Sequence, residues 1–142
     1  FAGRPAVFVR LAGCHLKCFF CDTEFEGPSV RDYTISALLQ HCAAAARDSR
    51  TTLMVITGGE PLRQNIVPLV GQAWLHGWEV QIETAGTFWR DGLASNCSIV
   101  CSPKTPKVHP TLVNVCKDWK YIIRVGDSCP EDGLPVMSTQ VP

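Results

Sequence analysis

The chain has 142 residues and a mass of 15.6 kDa, which fits one domain, since compact domains usually hold roughly 100 to 200 residues. Its 46% hydrophobic and 18% charged residues exclude a disordered chain, because that much apolar side chain offsets the entropy of ordering. Thirteen basic residues balance thirteen acidic ones, which argues against a nucleic-acid partner and for a small molecule.

In chain order, Ala6 to Leu11 (AVFVRL) is a nearly continuous apolar run with β-branched and aromatic residues, the pattern of a buried strand, ended by Gly13. Thr34 to Asp48 carries Ile35, Leu38, Leu39, Cys42 and Ala46 at helical spacing, with Thr34 placed as the N-cap. Leu53 to Ile56 (LMVI) predicts a second buried strand, closed by a sharp turn at Gly58 and Gly59. Ile66 to His76 predicts another helix, with Asn65 as cap, Pro68 in the first turn and Gly77 as the stop. Strands are then expected at Glu79 to Glu83, Ser98 to Cys101, Tyr121 to Val125 and near Pro135 to Met137. Strands alternating with helices predict an α/β fold with a mainly parallel sheet and ligands at the strand C-terminal ends. A full eight-stranded barrel takes about 250 residues, so an open or partial barrel is expected. Cys14, Thr57, Glu83 and Ser102 each stand just past a predicted strand and are expected to converge on one mouth.

Eight cysteines would permit a secreted disulfide framework, but three fall within eight residues and the aliphatic runs supply a core without staples. No run nears the roughly 20 apolar residues of a membrane span and no basic leader opens the chain, so a reducing, cytoplasmic setting is expected. The three close cysteines form C-x3-C-x2-C in GCHLKCFFCDT, compact enough to wrap one inorganic cluster. Three thiolates on a cubane would leave one iron open to an exogenous ligand, as catalytic metal sites do. The same thiols would also suit zinc, completed by His15 or a distant cysteine, or three unrelated core thiols.

C-x3-C-x2-C after a strand, followed by TGGEP at Thr57 to Pro61, resembles the radical S-adenosylmethionine superfamily. Together with VRLAGCHLKCFFCDT, ETAGT at Glu83 to Thr87 and SPKTPK at Ser102 to Lys107, it is similar to the 7-carboxy-7-deazaguanine synthase family, over about Pro5 to Lys107. The resemblance implies a partial (β/α) barrel, contracted or truncated, with residues 1–142 forming one domain incomplete at one or both ends. It also implies a lyase of the queuosine pathway that turns 6-carboxy-5,6,7,8-tetrahydropterin into 7-carboxy-7-deazaguanine with loss of ammonia. The implied cofactors are a [4Fe–4S] cluster, S-adenosylmethionine and magnesium, and the implied partners are an electron donor such as flavodoxin or ferredoxin and a second copy of the chain.

Carried over by motif, Cys14, Cys18 and Cys21 would hold the cluster and Thr23 the magnesium. Phe20, Cys21, Asp22, Gly59, Glu60, Glu83, Ser102, Pro103 and Lys104 would surround S-adenosylmethionine, with Glu60 as countercharge to its amine and Glu83 on a ribose hydroxyl. Arg10 and Thr57 would meet the substrate, and no residue is assigned as a protein acid or base. An arginine within AVFVRL is unusual in its own right, because burying it unpaired is costly. Without the resemblance Thr23 reads as a turn residue, Asp22 as a helix cap and SPK as a surface turn. His15 stands where relatives carry asparagine. Cys97, Cys101 and Cys116 read as isolated thiols rather than a second cluster, and Cys42 and Cys129 as structural. Two other readings remain: a different radical enzyme, such as a glycyl-radical activase, against which ETAGT and SPK speak, and a zinc-stabilised binding module without enzymatic activity.

Overall fold

The computed structural model describes residues 1, 3–47, 51–93, 95–123 and 125–133. Five strands, β1 (Ala6–Leu11), β2 (Leu53–Gly58), β3 (Glu79–Thr84), β4 (Ser98–Cys101) and β5 (Asp118–Trp119), form one sheet in sequential order, every pair parallel. This is the strand arrangement of a barrel segment left open, as the length of the chain requires. Helix α1 (Ile35–Ala46) crosses from β1 to β2, and a 3₁₀ turn (Pro61–Arg63) with α2 (Val67–Leu75) from β2 to β3. Helix α3 (Pro110–Val115) joins β4 to β5.

Alternation along the strands explains the layering. Val9, Met54, Ile56, Val80 and Ile82 point to one face and pack with Leu39, Cys42 and Ala46 of α1 and Leu69, Val70 and Ala73 of α2. A second cluster, Ile99, Cys101, Val108 and Leu112, lies under α3. The opposite face carries Phe8, Arg10, Thr57, Gln81 and Glu83, which leaves polar side chains free for a site.

Helix α1 starts as the sequence predicts: Thr34 Oγ1 accepts from the Ala37 amide at 3.2 Å. Helix α2 does not. Ile66, not Asn65, is its N-cap and offers no side-chain acceptor, because the chain leaves the 3₁₀ turn one residue later than the pattern suggests. Pro68 sits in the first turn and Gly77, at φ +84°, follows the last. β1 is not buried as its composition suggests; it pairs with β2 alone among the described residues, and Phe8 is 60% exposed. The strand expected at Tyr121 to Val125 is replaced by the two-residue β5, whose partners are Val100 and Cys101. Helix α3 carries no predicted counterpart, and the strand expected near Pro135 to Met137 lies outside the described residues. Among the described residues no helix is long and apolar enough to cross a membrane.

Replacing Thr34 by Ala removes the α1 cap and is expected to cost about 1 kcal/mol. Urea unfolding measures it, and a Thr34→Ser chain should unfold with the wild type.

Candidate functional site

The Gly-Gly-Glu turn after β2 is locked to the segment leading into the cysteine loop. The Gly59 amide donates to the Leu11 carbonyl at 3.1 Å and the Glu60 amide to the Gly13 carbonyl at 3.0 Å, while the Gly13 amide donates to Phe25 at 3.0 Å. This approach explains the glycines. A Cβ on Gly58, which holds φ +142°, would fall 2.1 Å from the Leu11 oxygen, and one on Gly59 would fall 2.2 Å from the Gly13 oxygen and 2.9 Å from Cys14 Cβ. Both glycines are thus demanded by the chain's own backbone, while Gly59 still lines the neighbouring cavity.

Glu60 continues the lock. It is fully buried; Oε1 accepts from the Leu62 amide at 3.0 Å and Thr84 Oγ1 at 2.7 Å, and Oε2 from the Ala85 amide at 2.7 Å. It therefore caps the 3₁₀ turn and ties the end of β2 to the end of β3. Glu60, expected as a countercharge, does not line the cavity beside it and has both its oxygens turned to the protein. Pro103, expected over the same cofactor, is also buried and does not line that cavity.

The cavity has a volume of about 480 Å³ and opens at the C-terminal ends of the strands. Cys14, Cys18 and Cys21 line it, together with Phe20, Asp22, Thr23, Thr57, Gly59, Glu83, Ser102, Lys104 and Arg10. Cys14, Thr57, Glu83 and Ser102, each at or just past a strand end, thus line one cavity, and Lys120, just past β5, joins them. The Cys18 thiol is pushed up by partial burial and by the nearby Cys21 and Cys14, and drawn down by Lys104. Among the described residues no three His, Cys, Asp or Glu side chains are gathered tightly enough for a single metal ion.

Two polar walls flank the thiols. On one, Arg10 and Thr57 are register partners, Arg10 Nη1 donates to Thr23 Oγ1 at 3.3 Å, and Thr23 donates to Asp22 Oδ1 at 3.1 Å. On the other, Lys104 Nζ donates to the Ser102 carbonyl at 2.7 Å and to its Oγ at 2.5 Å. Burial, then the charge of Lys120, holds the Lys104 ammonium below its usual range. Glu83 is ion-paired with Lys120 at 2.6 Å. Sequence reasoning missed Lys120, because it placed the fifth strand at Tyr121 to Val125, after that residue, where β5 ends just before it.

His15, outside the cavity, meets Thr87 Oγ1 at 3.0 Å and stacks edge-on to Phe88 at 4.7 Å, so it tethers the cysteine loop to the segment after β3. The Cys116 thiol donates to the Ile99 carbonyl at 3.5 Å; its closeness to Cys101, together with burial, pushes Cys101 up, and the same closeness draws Cys116 down against its own burial. Burial pushes Cys97 up to about 11. A larger cavity, about 660 Å³, lies beside β1 and α1 and holds none of the three loop cysteines.

No family model matches the chain. It is 48% identical over 147 residues to a 7-carboxy-7-deazaguanine synthase of Rhodospirillum rubrum, an alignment that takes in all of this chain and 60% of the relative. A protein of that name from Rickettsia prowazekii is 44% identical over 75% of this chain and 46% of its own length, and one from Aquifex aeolicus 35% over 85% and 57%. The crystal structure of QueE from Escherichia coli superposes with a TM-score of 0.68 at 27% identity, covering 87% of this chain and 64% of that one. The chain therefore spans about half to two-thirds of the length of the proteins it matches.

Glu60→Ala strands three donors, two of them buried, and is expected to cost about 3 kcal/mol or more, whereas Glu83→Gln at the partly open wall should change stability by less than about 0.5 kcal/mol. Chemical denaturation of both variants checks the contrast. Gly59→Ala, which drives a methyl into the Gly13 carbonyl, should lower the melting temperature at least as much as Glu60→Ala.

Proposed function

We propose that this chain, a homologue of the 7-carboxy-7-deazaguanine synthases along its whole length, is a radical S-adenosylmethionine domain of that activity, converting 6-carboxy-5,6,7,8-tetrahydropterin to 7-carboxy-7-deazaguanine with loss of ammonia. The observation that carries the reading is the meeting of Cys14, Cys18 and Cys21 with the Gly59 turn, Glu83 and the Ser102–Lys104 corner around one cavity. When bound, a [4Fe–4S] cluster and S-adenosylmethionine supply the electron and the 5′-deoxyadenosyl radical. The rest of the task is placement, which is what a protein contributes to such chemistry.

In this reading Cys14, Cys18 and Cys21 hold the cluster, and Phe20 lends a ring face to adenine, being a cavity-lining aromatic set edge-on to Phe19. Glu83 accepts from ribose hydroxyls, while Asp22, Gly59, Ser102 and Lys104 take the polar groups of the methionine portion, the Lys104 ammonium matching its carboxylate. Arg10 binds the carboxylate of the pterin through its guanidinium, beside Thr57. Thr23, whose hydroxyl accepts from Arg10 at 3.3 Å, would help hold magnesium, a hard cation suited to oxygen ligands. Glu60 serves indirectly, by keeping the turn in place. A homodimer in the cytoplasm, reduced by a small flavin or iron–sulfur donor, completes the reading.

The test is reconstitution under anaerobic conditions with iron, sulfide and reductant, then addition of S-adenosylmethionine, magnesium and the carboxytetrahydropterin, with products weighed by mass spectrometry. A brown protein that releases 7-carboxy-7-deazaguanine is expected. Deoxyadenosine without the deazaguanine would reject the substrate and keep the radical class; colourless, zinc-loaded protein would reject both. Cys18→Ala is expected to lose the brown colour and to cleave no S-adenosylmethionine.

A further inference from the structure

Lys120 belongs to none of the motifs, yet its side chain ends in the cavity. Its backbone is fixed there: the amide donates to the Cys101 carbonyl at 2.8 Å, carrying the ladder between β4 and β5 one residue past Trp119. From this anchor Nζ passes over β4 to Glu83 Oε2 at 2.6 Å. Gln81, on the same face of β3 two residues earlier, holds the other oxygen at 3.4 Å. One donor grips each oxygen of Glu83, and an ionised carboxylate has about four acceptor positions, so acceptor positions remain for a ligand in the cavity.

We propose that Lys120 is a positioning residue: it fixes the Glu83 carboxylate in the orientation in which it accepts the ribose hydroxyls of an adenosyl ligand. The inference rests on reading the cavity as a site for S-adenosylmethionine. A glutamate alone at a strand end samples several rotamers, and a ligand that selects one of them binds more weakly by that selection; the ion pair removes this freedom beforehand. The pair is half open to solvent and contributes little to folding, so its loss reads out in binding rather than stability.

Calorimetric titration of S-adenosylmethionine into the anaerobically reconstituted chain tests this, with no turnover involved. Lys120→Met is expected to weaken binding roughly tenfold, the scale of one charge-assisted hydrogen bond. Lys120→Arg should keep most of the affinity, and all variants should melt with the wild type. The deciding sample is Lys120→Met combined with Glu83→Gln: a residue that acts through Glu83 adds nothing to the loss from Glu83→Gln alone. Wild-type affinity in Lys120→Met, or losses that multiply in the double variant, would overturn the proposal. A wild-type chain that binds no S-adenosylmethionine would overturn the functional reading and this inference with it, a result distinguishable from the other two.

Discussion

Both oxygens of the Glu60 carboxylate are taken by donors, and two of the three come from the end of the neighbouring strand: Thr84 Oγ1 and the Ala85 amide, with the Leu62 amide as the third. Parallel strands deliver their C-terminal ends to one side, but nothing in the ladder itself fixes the loops beyond them. Here a buried carboxylate, costly to leave unsatisfied, couples the turn after β2 to the turn after β3. The adjoining glycines then bring the Leu11–Cys14 backbone onto that coupled unit. Cys14 is thus placed by main-chain hydrogen bonds, and the rest of the cysteine loop hangs from it, with His15 fastening its outer side to Thr87.

Around this frame the charges are sorted by strand. Arg10 on β1 and the Asp22–Thr23 pair form one wall; Glu83, Lys104 and Lys120 form the other. Among the described residues Lys104 is hydrogen-bonded to Ser102, which directs a half-buried ammonium suited to an incoming anion. Glu83 and Lys120 neutralise one another, so the second wall offers hydrogen-bonding groups more than net charge. A zwitterionic ligand with a neutral sugar in its middle suits such a distribution.

Much of this was legible in the sequence, for definite reasons. β2, β3 and α1 have long apolar periods and clear boundaries, and the cysteine spacing and the Gly-Gly pair are tied to backbone geometry that few other residues satisfy. What escaped was short or directional. β5 is two residues long and owes its existence to Val100 and Cys101 of the strand before it, so no local pattern marks it. Displacing it to Tyr121–Val125 hid Lys120 on the wrong side of a strand end. α3, at six residues, is too short to show a period and is held by the packing of Leu112 and by the His109 ring that accepts from the Thr111 amide. The letters of TGGEP place Glu60 beside the site, but which way its side chain turns depends on Thr84 and Ala85, more than twenty residues on. β1 looked buried because its residues are apolar; its exposure follows from its position at the sheet edge, which composition does not encode.

The contact between the Gly58–Gly59 turn and the Leu11–Cys14 backbone bears on how such motifs are interpreted across a family. What excludes side chains there is the polypeptide itself, so replacing every cysteine of the loop would leave the demand for the two glycines unchanged. Glycine at these two positions is therefore required by backbone packing, whatever the neighbouring cavity binds.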